Sequence, residues 1–110
     1  MSVLSDADVQ SIVGAMLGVL AKGGKDLAAY AEAEAANFAR SIETIAELRL
    51  TNQISDEEAA LQLAVQKNAS QTVLTSIEGI GLLLAAQAIN AGLNAVAGIV
   101  NKAIGFPLIG

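Results

Sequence analysis

The chain has 110 residues, a net charge of −5 and neither cysteine nor histidine. That length fits one small domain. The missing residue types exclude disulfides, thiolate metal sites, thiol nucleophiles and the imidazole that most often serves as general base or metal ligand.

Hydrophobic residues make up 54% of the chain and aromatics only 3%. An Ala-, Leu-, Ile- and Val-based interior lets helix backbones approach closely and leaves little room for a large ligand cavity. The basic residues Lys22, Lys25, Arg40, Arg49, Lys67 and Lys102 are dispersed, whereas phosphate binding needs them clustered. Asp6 and Asp8 occupy the place where a secretory signal would carry positive charge. The expected class is all-α.

In chain order, the first helix is expected over about 5–22. Ser5 and Asp8 have the spacing of an N-terminal cap, Val9, Ile12, Val13, Met16, Leu17 and Leu20 recur at helical spacing, and Gly23-Gly24 ends the run. The second is expected over about 26–50. Leu27, Ala31, Ala35, Phe38, Ile42 and Ile45 mark its apolar face, and Glu32, Glu34, Arg40, Glu43, Glu47 and Arg49 its polar one.

Ser55 followed by Glu58 is a full capping box. No proline appears before Pro107, so the pattern predicts one long helix over about 56–104, roughly 70 Å at 1.5 Å per residue. Gly79-Ile80-Gly81 is a place for a kink. The short break between the second and third helices predicts an antiparallel hairpin. The longer arm would then project beyond it into an oligomeric assembly, unless the first helix folds back along it, and even then one thin helix would not cover every apolar face.

Residues 79–101 carry no charge. Gly81, Ala85, Ala88, Gly92 and Ala95 form a small-residue stripe, echoed by Gly14 and Gly18 in the first helix. Such stripes let helices meet at close range, so these seven residues are the expected assembly interface. Gln87, Asn90, Asn94 and Asn101 form a polar stripe of neutral amides, suited to partly buried hydrogen-bond ladders that set helix register, or to a pore wall. Glu78, at the edge of the uncharged segment, reads first as an exposed or interfacial charge; the sharper reading pairs it across a subunit contact with Lys67 or Lys102 of a neighbouring copy. On this reading Gly92→Leu blocks assembly and leaves the hairpin folded.

No catalytic arrangement emerges. Gly23-Gly24-Lys25 lacks the spacing of a phosphate-binding loop. Asp56, Glu57 and Glu58 fit the positive end of a helix dipole better than a metal loop. The sequence therefore predicts a non-enzymatic structural protein without cofactor or metal, and without nucleic acid or small-molecule substrate. Its partner is itself, in a homo-oligomer such as a filament or tube. The alternative is a small pore-forming or holin-like protein that inserts residues 79–104 into a membrane, with residues 9–21 as a shorter partner.

Overall fold

The computed structural model describes residues 3–110. Four α-helices account for most of them: Asp6–Leu20 (α1), Lys25–Leu50 (α2), Asp56–Thr75 (α3) and Leu82–Ile104 (α4), with a 3-10 turn at Ala21–Gly23. No strand occurs among the described residues.

The helix ends follow from local chemistry. At α1 the Asp8 N–H donates to Ser5 Oγ (3.1 Å) and the Ser5 N–H to Asp8 Oδ2 (2.9 Å). At α3 the Glu58 N–H donates to Ser55 Oγ (3.1 Å) and the Ser55 N–H to Glu58 Oε1 (3.0 Å). Each box satisfies two donors that a helix start leaves open. The backbone N–H of Ser55, and next its hydroxyl, hold the Glu58 carboxyl below its usual range. This contribution to stability is present above the carboxyl's unfolded pKa and is lost as pH falls through the lowered folded value.

The end of α2 closes with Asn52 in the left-handed region at φ 60°. Its N–H donates to Arg49 O (3.1 Å), and the Gln53 N–H reaches back to Leu48 O (2.9 Å). This is a Schellman motif with asparagine where glycine is usual. The Arg49 guanidinium bridges the turn, donating to Asn52 Oδ1 (3.0 Å) and pairing with Asp56 at the start of α3. Gly105 ends α4 at φ 67°, with Pro107 two residues beyond.

The single helix expected over 56–104 is replaced by two. The chain leaves helix after Thr75 and re-enters it at Leu82. Gly79 sits at φ 96°, which ends helical geometry, and the Thr75 and Ser76 hydroxyls donate to the Gln71 (2.9 Å) and Val73 (2.6 Å) carbonyls. Ile80 is buried within the turn. What the sequence marks as a kink is a full reversal. A straight rod would keep a few more backbone hydrogen bonds but leave the apolar side of α4 in water, and burying that side outweighs those few bonds.

The helices pack in a ring: α1 against α2 and α4, α2 against α3, and α3 against α4. Neighbours run antiparallel. A Cβ on Gly92 would meet Met16 and Ile12, and one on Gly23 would meet Leu84, so α1 and α4 pass in opposite directions. The bundle measures 40 × 25 × 20 Å. Its interior holds Ile12, Met16, Leu20, Phe38, Ile42, Leu74, Val96 and Val100 among many alanines. At one end Leu27 closes over Gly79 and Gly23, and at the other Leu4, Leu108 and Ile109 are buried.

Gly92 is therefore an internal contact, and the consequence of replacing it changes. A Cβ there would lie 2.8 Å from Met16 Cγ and 3.2 Å from Ile12 Cγ2. Gly92→Leu is expected to destabilise the folded chain by about 1–3 kcal/mol through overpacking, read as a lower midpoint in thermal or urea unfolding followed by circular dichroism. An unchanged midpoint would show that the α1–α4 seam is looser than this geometry requires.

Candidate functional site

The small-residue stripe divides between the inside and the outside of the molecule. Ala85, Ala88 and Gly92 are fully covered within the chain, against the α1 side of the core. Intrachain packing therefore occupies the part of the stripe assigned from sequence to contacts between copies. Gly81 is the N-cap of α4, and Ala95 is exposed. Gly14 and Gly18 face outward, with no atom within 4 Å of the place a Cβ would take.

The amide stripe divides too. Gln87, Asn90 and Asn94 lie exposed on the outer surface of α4. Asn101 is half-buried and has an intrachain role. Its Nδ2 donates to the Ile109 carbonyl (2.7 Å), and its Oδ1 accepts from the Ile109 N–H (2.9 Å). A side-chain amide thus mimics a peptide group and fastens the C-terminal segment over the end of the bundle.

Glu78 and Lys102 are both exposed. Glu78 stands in the turn before α4 and Lys102 in its last turn, about 30 Å away at the rise of a helix, so one chain does not pair them. Asp56 is engaged by Arg49, and Glu58 by its own cap.

The outer surface of the bundle sorts by charge. Between Val9 and Ala21 on α1, and between Gly79 and Asn101 around α4, there is no ionisable side chain. The outward positions of these two neighbouring helices include Gly14 and Gly18 on α1, and Asn94 and Gly98 on α4. They give this side of the bundle an uncharged surface of small and neutral polar groups, together with the exposed aliphatic side chains Leu82, Leu83 and Ile99 of α4. The charged residues lie mainly on α2 and at the start of α3, across the bundle.

Two features escape the sequence patterns. The first is a buried polar relay. Ser70, with no exposed surface, donates to Glu34 Oε2 (2.7 Å) and accepts from Gln66 Nε2 (3.1 Å), tying α3 to α2. Its signal was a serine seven residues after Leu63 and four before Leu74, in the apolar phase of α3. The second is an open groove of about 570 Å³ between α2 and α3, lined by Asn37, Arg40, Ser41, Thr44, Ile45, Leu61, Gln62, Val65 and Gln66. Leu61 and Val65 stand one helical turn apart and are 65% and 61% exposed.

Comparisons with protein-family models, with curated proteins and with solved structures find no match to this chain.

The Asn101 clamp has a direct readout. Asn101→Ala is expected to cost about 1–2 kcal/mol, since one half-buried amide loses two hydrogen bonds, and to strip the Ile109 amide of protection in hydrogen exchange. Retained protection at Ile109 would mean that burial alone holds the segment down.

Proposed function

We propose that this chain is a non-enzymatic, self-associating helical protein in which copies meet through the uncharged α1–α4 face. The observation that carries the reading is the partition of charge over the surface. A molecule with net charge −5 repels its copies wherever α2 meets α2, and that repulsion is weakest where no formal charge stands on either side. Small outward residues at Gly14, Gly18 and Gly98 allow close backbone approach. The amides of Gln87, Asn90 and Asn94 supply hydrogen bonds that fix register. A filament or tube follows if the contact does not close on itself, and a discrete homo-oligomer follows if it does.

A second reading is supported by a specific observation. α4 is long and apolar enough to cross a membrane, and only 39% of its apolar window is buried in the chain. Its antiparallel neighbour α1 is likewise free of charge from Val9 to Ala21. The two could enter a bilayer as one hairpin, provided association hides the amides. Those amides weigh against insertion, because a lipid-facing Gln or Asn carries a cost that water removes.

Light scattering at micromolar concentration, without detergent, is expected to report large homo-oligomers. Gly18→Glu tests the face directly. The new side chain enters open space and replaces a helix-weakening glycine, so the fold gains about 0.5–1 kcal/mol while like charges meet across the contact. The variant is expected to be a stable monomer. A monomeric wild type, or a variant that assembles equally well, would remove the basis of this reading.

Liposome dye release separates the two readings. The wild type is expected to release none, and replacing Asn90 and Asn94 together with leucine is expected to alter the order of the assembly. Robust release by wild type that disappears in the double variant would favour the membrane reading instead.

A further inference from the structure

The α2–α3 groove holds one formal charge, and it is positive. The chain carries 11 acidic residues against 6 basic ones, yet none of the acidic side chains lines this groove. Arg40, exposed on α2, makes no hydrogen bond or ion pair among the described residues. Facing it across the groove are the apolar side chains Leu61 and Val65 of α3, with Ile45 on the α2 wall.

We propose that this groove binds a single-chain amphiphile with a carboxylate head, the class of a medium-chain fatty acid. The head lies against the Arg40 guanidinium, whose planar fork suits a carboxylate. The hydrocarbon lies along Leu61 and Val65, covering aliphatic surface that otherwise faces water, over a floor to which the buried Ile45 contributes.

The dimensions and chemistry favour this occupant. The α2 wall runs from Asn37 to Ile45, about 12 Å along a helix axis, which accommodates a medium-length acyl chain. A docked helix normally buries a stripe several turns long. The groove's volume of about 570 Å³ falls within the range of ligand sites. An anion without a tail would leave the leucine and valine wet. A neutral hydrocarbon would leave the cation unmatched. One end of the groove is rigid, because Gln66 is held by Ser70 and Ser70 by Glu34.

The test is calorimetric titration of the full chain with decanoate below its micellar concentration, alongside methyl NMR. Saturable binding with shifts at the Leu61 and Val65 methyls is expected. Arg40→Gln, which removes no internal hydrogen bond, should weaken decanoate about five- to tenfold and leave uncharged decanol unaffected. Val65→Asp should abolish binding of both, with circular dichroism confirming the fold. Gly18→Glu, on α1 and away from the groove, should bind decanoate as wild type does, which keeps this site separate from self-association. Absent saturable binding, equal affinity in Arg40→Gln, or shifts confined to α1 and α4 would overturn the proposal. So would an acidic amphipathic peptide that binds at the same methyls more tightly than decanoate.

Discussion

The bundle closes because the α4 backbone at Gly92 can reach Met16 and Ile12 of α1 without a side chain between them. Ala85 and Ala88 extend the same thin wall, so the α1–α4 seam is made by large residues on one helix lying over almost bare backbone on the other. This asymmetry lets a 15-residue helix cover a 23-residue one closely. It also explains the reversal at Gly79. Once α4 has a partner in α1, continuing α3 in a straight line would sacrifice the largest contact in the molecule.

What was legible in the sequence was whatever depends on near neighbours. The Ser5 and Ser55 caps, the glycine stop at Gly23-Gly24 and the apolar spacing of α1 and α2 are properties of segments a few residues long, and the structure contains each of them. The side of a stripe that faces inward is a property of the whole chain. Gly14, Gly18, Ala85, Ala88 and Gly92 look equivalent as a pattern, yet Gly92 is buried and Gly14 is open. Gly79-Ile80-Gly81 showed weakness, but only the destination of α4 makes that weakness a turn. The Asn101 clamp was hidden for the same reason, since its partner Ile109 lies beyond the end of the helix.

The surface follows from the same packing. Helices that meet over small residues need few bulky apolar groups, so their outer sides can be filled with glycine, alanine and amides. α2 solves solubility with Glu and Arg instead. The molecule thus carries two kinds of water-compatible surface, one ionic and one neutral. Only the neutral one can meet a copy of itself without charge repulsion. The exposed Leu61 and Val65 on α3 fit neither kind, and neither do Leu82 and Leu83 at the start of α4; the first pair lines the α2–α3 groove beside Arg40.

The seam has a kinetic side. Each of the other neighbouring pairs is joined by a short connection, whereas Met16 must find Gly92 across most of the chain. Closing a loop of that length costs about 2 kcal/mol more entropy than closing a tight turn. In a folding reaction the hairpins of α1–α2, α2–α3 and α3–α4 can therefore gather first, and the ring shuts last. The line between α1 and α4 is the contact of greatest sequence separation in the ring, and therefore the one whose closure costs the most chain entropy.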